Sequence, residues 1–376
     1  MPGRFVRVSE LQYNIEGRTT SVAVERGSLC AIQSRLTTAL PGGVSQSVLV
    51  TDKVVGPLYA AAVVAAARGT ANLPLTVFEM ESGEASKSLG MAERIYRFLA
   101  DHRVGRDGII LALGGGVVTD LAGFVAATWM RGIPWIACPT TLEAQIDASI
   151  GGKTAVNIPG AKNLVGAFHH PALVLIDPDC LKTLPERDYR AGLAESVKHA
   201  AVFSPDLFAW HEQNAAAILQ REPAAVAELI ERNVRIKAGV VQRDPYECTG
   251  ERMLLNFGHT IGHAIEECCG FSLRHGECVA LGMLAAARLS HALKLLDTSS
   301  VNRLARLMEM LELPRDLDQP PEWSAVQESL HRDKKSRGGR VRWVLLRGIG
   351  QPTVRDDVPI DSVREAFQSL SVSSAT

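Results

Sequence analysis

The run Gly108-Ile109-Ile110-Leu111-Ala112-Leu113 constrains the fold of this chain more than any other feature. Its residues are almost wholly apolar and leave no polar face for water. The segment therefore reads as a strand covered on both sides, as in a parallel sheet sheathed by helices. It runs directly into Gly114-Gly115-Gly116-Val117-Val118-Thr119-Asp120, whose glycines allow backbone N–H groups to approach an anion where a helix begins. Thr119 stands where the third glycine of a G-x-G-x-x-G motif would be, so a dinucleotide site and a plain tight turn both stay open on this motif alone. Upstream the alternation repeats: Ser47-Val48-Leu49-Val50-Thr51, an Ala-rich helix near 57–68, Leu75-Thr76-Val77-Phe78, and a helix near 87–102. That alternation predicts an α/β domain.

After about residue 184 the periodicity turns helical and is broken by Pro205, Pro223 and Pro245. Thr183-Leu184-Pro185-Glu186 fits a capping box with proline in the first turn, and on the helix it predicts Glu195, Lys198 and His199 share a face. At 376 residues two domains are expected, 1–184 and 185–376. A net charge of -1 gives no long-range attraction to nucleic acid. The longest apolar run, Leu58 to Ala67, is too short to span a bilayer, and the first residues form no apolar leader. Seven cysteines with no C-x-x-C pair are expected to be reduced and mostly buried, which points to the cytoplasm.

Chemistry concentrates in two places. Pro139-Thr140-Thr141, Asp147, Lys153, Asn157, Lys162 and Asn163 gather hydroxyls, a carboxylate and amines beside Gly151-Gly152, which suits an anionic ligand. Asn256-Phe257-Gly258-His259-Thr260-Ile261-Gly262-His263 puts two histidines four apart on a predicted helix, and His275-Gly276-Glu277 can fold back to the same point. The spacing alone favours His259 and His263 as paired ligands of a divalent cation.

In order along the chain, Gly115 to Asp120, Met130-Arg131-Gly132, Pro139-Thr140-Thr141, Gly151-Gly152-Lys153-Thr154, Gly166-Ala167-Phe168, Leu184-Pro185-Glu186-Arg187, Ala191-Gly192-Leu193-Ala194-Glu195, Asn256-Phe257-Gly258-His259 and His275-Gly276-Glu277 resemble the 3-dehydroquinate synthases of the sugar phosphate cyclase superfamily. Ser82-Gly83-Glu84-Ala85-Ser86-Lys87 resembles that family's nucleotide-binding stretch, with Ser82 for the usual Asp. The resemblance implies an NAD-binding, Rossmann-like α/β domain with a parallel sheet, followed by a mainly α-helical metal- and substrate-binding domain. It implies a lyase of the shikimate pathway, in aromatic amino acid biosynthesis, that turns 3-deoxy-D-arabino-heptulosonate 7-phosphate into 3-dehydroquinate and phosphate. In that chemistry NAD oxidises a ring hydroxyl, phosphate leaves, the ketone is reduced again and an intramolecular aldol closes the ring.

Carried onto this chain, the resemblance places a zinc or cobalt ion on Glu195, His259 and His275, and gives His263 to the substrate. It assigns NAD to Asp52, Ser82, Gly83, Glu84, Lys87, Gly115, Gly116, Val117, Val118, Thr119, Asp120, Thr140, Thr141, Asp147, Lys153, Lys162, Cys180, Leu181, Lys182 and Thr183. To the substrate, a phosphorylated sugar acid, it assigns Lys153, Asn163, Lys198, Lys237, Arg252, Asn256, His263 and one of Lys334 and Lys335. Arg131 is implied to reach a neighbouring subunit's phosphate site, hence a homodimer. The segment between Lys237 and Arg252 is one residue longer than usual in the family, and Thr119 and Ala155 replace common glycines. Competing assignments are an aminodehydroquinate synthase or another cyclase of secondary metabolism and, more distantly, a metal-dependent alcohol or glycerol dehydrogenase.

Overall fold

Interior strands with no polar face demand neighbours on every side, and the fold supplies them. In the computed structural model, which describes residues 7–40, 42–68, 74–270, 272–336 and 341–371, nine strands lie in the first half. They are β1 (Arg7–Ile15), β2 (Arg18–Glu25), β3 (Ser47–Asp52), β4 (Leu75–Met80), β5 (Ile109–Gly114), β6 (Trp135–Pro139), β7 (Lys153–Ile158), β8 (Ala161–Phe168) and β9 (Leu173–Ile176). Between them run helices α1 (Ile32–Ala39), α2 (Gly56–Arg68), α3 (Leu89–Asp101) and α4 (Gly116–Thr128). Seven strands form one sheet in the order β1-β2-β9-β6-β5-β3-β4, parallel throughout except where β1 meets β2. Every residue of β3 and β5 is buried, whereas β4 at the edge mixes buried positions with exposed ones at Val77 and Glu79. From β3 the chain steps outward to β4 and then returns to place β5 on the other side of β3. The strand order thus reverses between β3 and β5, and such a switch point, at the C-terminal ends of the strands, is where α/β sheets take their ligands.

The chain divides into two compact units, Met1–Leu184 with Val226–Tyr246, and Pro185–Ala225 with Glu247–Thr376. The second holds α5 (Glu186–Phe203), α6 (Pro205–Leu219), the first residues of α7 (Pro223–Arg243), then α8 (His259–Cys268), α9 (His275–Ala292), α10 (Thr298–Met310), α11 (Trp323–Ser336) and α12 (Ile360–Gln368), plus the hairpin β10 (Trp343–Gly348) and β11 (Gln351–Arg355). Pro205 and Pro223 open helices, as suits a residue lacking a donor that the first turn does not need. The expected capping box is not formed. Pro185 is the N-cap of α5, without a side-chain cap, and the Thr183 hydroxyl instead reaches Tyr59 and the Cys180 carbonyl. The expectation of mostly buried cysteines is corrected too: Cys138, Cys180 and Cys278 are buried, Cys30 and Cys248 are exposed, and none of the seven is in a disulfide. Among the described residues no helix is long and apolar enough to cross a membrane.

Candidate active site

Three helices of the second unit converge on four side chains. Glu195 and Lys198 lie on α5, while α8 and α9 open with His259 and His275. Glycine stands where the backbones come closest: a Cβ on Gly276 would lie 1.9 Å from the Ala191 carbonyl oxygen, and one on Gly282 would lie 2.0 Å from that of Gly258. Only residues without a Cβ let α9 approach α5 and the start of α8 together, and that approach turns both imidazoles onto one carboxylate.

Oε1 of Glu195 lies 3.6 Å from Nε2 of His259 and 3.6 Å from Nε2 of His275. This is too long for a hydrogen bond, but close to the roughly 3.3–3.4 Å between two atoms that share one ion tetrahedrally at about 2.0–2.1 Å. Each ring has an acceptor at its other nitrogen, since Nδ1 of His259 lies 3.3 Å from the Phe257 carbonyl and Nδ1 of His275 lies 3.3 Å from Oε2 of Glu266. Protons held at Nδ1 leave both Nε2 lone pairs facing Glu195. Glu195 is 1% exposed and its other oxygen contacts the equally buried Lys198 ammonium. Burial first, and then the Lys198 charge, hold the His259 imidazole well below its ordinary range, so it is neutral, the form that ligates metal. A buried carboxylate and two imidazoles make a donor set that fits a divalent ion.

His263 follows one turn along α8, with its ring 5.2 Å from that of His259 and 5.5 Å from that of His275. One nitrogen from each histidine lies within 4.8 Å of the others. Both ligand sets raised by the sequence therefore come together, with His263 as the exposed member. Arg252, 2% exposed, and Asn256 begin and end the 3-10 turn leading into α8.

In the first unit several of the residues that the resemblance assigns to the cofactor lie near the C-terminal ends of the strands, whereas Lys153 and Lys162 lie at the starts of β7 and β8. Asp52 ends β3, its Oδ1 accepting the Val54 and Val55 N–H groups at 2.9 Å. Gly114, Gly115 and Gly116 lead from β5 into α4, and none has a positive φ. Their glycine character serves close approach instead, since a Cβ on Gly114 would meet Val118 at 2.5 Å and one on Gly115 would meet Thr141 at 3.0 Å. Val118 and Thr119 both donate to the Gly115 carbonyl, and Gly116 and Val117 have no intrahelical acceptor, the usual state of a helix start that faces an anion. Thr140, at the end of β6, is 4% exposed, and its buried hydroxyl has no hydrogen-bond partner among the described residues. Such an orphaned group fits a ligand's polar atom. Thr141 caps the following turn by accepting the Ala144 N–H at 3.2 Å.

Lys87 is 5% exposed and its ammonium contacts Asp120; burial alone would lower its pKa, but that carboxylate holds it above the ordinary lysine value. Glu84, in the turn after Ser82 and Gly83, accepts from Asn157 at 2.7 Å and faces Lys162 at 3.9 Å, and Asn157 also accepts the Asn163 N–H. Lys237 on α7 is 7% exposed and reaches Asp147 at 2.6 Å. Lys153 begins β7 with its side chain exposed. Cys180, Leu181, Lys182 and Thr183 form the turn after β9, where Tyr59 binds the Cys180 carbonyl at 3.2 Å. Arg131 is exposed, and the φ angles of Met130, Arg131 and Gly132 are +50°, +68° and +118°, a sequence two non-glycine residues rarely adopt. Lys334 and Lys335 fall on α11, and their side chains lie outside the described residues.

Two residues here carry no sequence assignment, Glu266 and Tyr59. Glu266 had a signal: seven residues after His259, it recurs on the same face of α8. Tyr59 had none, because only the fold brings α2 against the turn after β9.

Two family models match in succession, 3-dehydroquinate synthase N-terminal over residues 77–191 and 3-dehydroquinate synthase C-terminal over 192–336. The chain is 46% identical over 326 residues to a 3-dehydroquinate synthase of Xylella fastidiosa (strain 9a5c), covering 85% of this chain and 82% of that protein. Its fold is similar to that of ValA, the 2-epi-5-epi-valiolone synthase of Streptomyces hygroscopicus subsp. jinggangensis 5008 solved with NAD+ and Zn2+, at a TM-score of 0.85 and 30% identity over 96% of this chain and 97% of that one. It is also similar to a 2-deoxy-scyllo-inosose synthase complexed with carbaglucose-6-phosphate, NAD+ and Co2+, at a TM-score of 0.87 and 25% identity over 96% and 100%.

Proposed function

The chain belongs to the 3-dehydroquinate synthase family, and from that premise we propose how its residues divide the conversion of 3-deoxy-D-arabino-heptulosonate 7-phosphate into 3-dehydroquinate and phosphate. It is a phosphate-eliminating lyase that works with NAD and a divalent metal. The observation that carries the assignment is the Glu195 carboxylate set 3.6 Å from two imidazole nitrogens. Glu195, His259 and His275 would hold the ion, which when bound supplies Lewis acidity to substrate hydroxyls. NAD would be held by the residues around the β3–β5 switch point, and when bound it accepts a hydride and later returns it. Thr140 offers its orphaned hydroxyl, the start of α4 faces the pyrophosphate, and Lys87 adds a cation fixed by Asp120.

Within the second unit, Arg252 presents a planar fork of donors for a carboxylate, Lys198 a buried positive charge, and Asn256 and His263 hydrogen-bonding groups for hydroxyls and phosphate. Within the first unit, Lys153, Asn163 and Lys237 carry the same assignment, with Lys237 oriented by Asp147. One of Lys334 and Lys335 completes it. The strained turn at Met130-Arg131-Gly132 supports the proposal that Arg131 serves a second subunit of a homodimer, because strain persists where a function needs it. A cytoplasmic location belongs to the same reading, supported by seven cysteines none of which is in a disulfide.

The test is inorganic phosphate release from the heptulosonate phosphate with NAD well below substrate concentration. Many phosphates per NAD with no growth of NADH absorbance is the expected result. NADH rising in step with substrate would instead place the protein among the alcohol dehydrogenases.

A further inference from the structure

A carboxylate outside every motif stands behind the metal residues. Glu266 on α8 is 7% exposed, and its Oε2 lies 3.3 Å from Nδ1 of His275 on α9. The opposite nitrogen of that ring faces Glu195 at 3.6 Å. A carboxylate at Nδ1 keeps the imidazole proton there, fixes the ring plane, and makes Nε2 a stronger donor. Nδ1 of His259 instead lies 3.3 Å from a neutral acceptor, the Phe257 carbonyl, so the two imidazoles are supported unequally.

We propose that Glu266 is a positioning residue for the metal, holding His275 in the tautomer and orientation that ligation requires. This rests on the reading of Glu195, His259 and His275 as the ligands. It makes α8 the source of one ligand and of the support for another. The register of α8 against α9 then matters twice, and it is set where a Cβ on Gly262 would meet the Cys278 carbonyl oxygen at 2.8 Å.

The experiment measures Zn2+ affinity of the full chain by competition with a chromophoric chelator, together with the visible spectrum of the Co2+-loaded protein. Glu266→Ala should weaken affinity roughly 10- to 100-fold and shift the Co2+ bands, the usual cost of removing such support. Glu266→Gln, whose amide oxygen can still accept the Nδ1 proton, should recover most of the affinity. If Glu266→Ala does not fold, Glu266→Met, similar in volume, carries the same expectation. In a His275→Ala background Glu266→Ala should change affinity by no more than about twofold, because its effect passes through that ring. Wild-type affinity in Glu266→Ala, or an equal loss with and without His275, would overturn the inference. A His275→Ala protein that binds Zn2+ as tightly as wild type would overturn the ligand reading itself, through a separate arm of the experiment.

Discussion

Gly276→Ala should empty the metal site without touching a ligand. The added Cβ would sit 1.9 Å from the Ala191 carbonyl oxygen and 2.6 Å from its carbon, and ordinary contact begins at 3.4 Å, so α9 must withdraw from α5 by about 1.5 Å. Both obstructing atoms are backbone, so no side chain can swing aside to absorb the strain. Overpacking of this kind costs the metal-free protein about 1–3 kcal/mol. His275 is the residue next to the clash, and the same withdrawal would widen its 3.6 Å separation from Glu195 to about 5 Å. Two atoms sharing an ion with bonds of about 2.1 Å cannot lie more than about 4.2 Å apart. Metal affinity should therefore fall by about 100-fold or more, a loss on the scale of an abandoned ligand. Chelator competition for Zn2+ on the folded variant measures the second effect, and urea unfolding of the metal-free protein measures the first. A Gly276→Ala protein with wild-type stability and wild-type affinity would refute the reasoning, because it would mean that the close approach of α5 and α9 does not hold the site together.

Thr140→Val should leave stability within about 1 kcal/mol, since it removes a buried hydroxyl that has no partner among the described residues, yet weaken NAD by about tenfold in a fluorescence titration. Burial raises the Glu277 carboxyl, but Arg187 on α5, 2.7 Å away, and the Arg274 N–H outweigh it and hold the pKa below the ordinary carboxylate value. A depressed folded pKa gives stability that is present above the unfolded pKa and lost as pH falls through the folded one, so the gap in urea stability between wild type and Glu277→Gln should close on acidification from neutrality. Inactive Arg131→Ala and Glu195→Ala homodimers, mixed with confirmed subunit exchange, should recover about a quarter of wild-type activity if Arg131 serves the partner's site, and none if it serves its own.

Much of the first unit was legible because burial on both faces leaves a local trace. The apolar run at 108–113 became β5 shifted by one residue, and Gly115 and Gly116 open α4 as the turn predicted. What failed were features decided by tertiary partners. Thr183 fits a cap in sequence but finds Tyr59 and the Cys180 carbonyl in space, so the helix starts without it. Pro205 and Pro223 punctuate the helical pattern as breaks yet serve as helix starts, a distinction the residue alone does not carry. The grouping of Val226–Tyr246 with the first unit follows from packing and has no marker in the helical periodicity. In the site, the i,i+4 spacing of His259 and His263 reported a shared helix face correctly but was silent about Glu195, which reaches the same point from α5.

The most direct measurement is the metal content of four purified variants, with apparent turnover beside it. Glu195→Ala, His259→Ala and His275→Ala should carry no tightly bound ion, whereas His263→Ala should retain about one per chain and lose turnover. Loss of the metal from His263→Ala with retention in His275→Ala would contradict the account and leave the simple pair on α8 as the ligands.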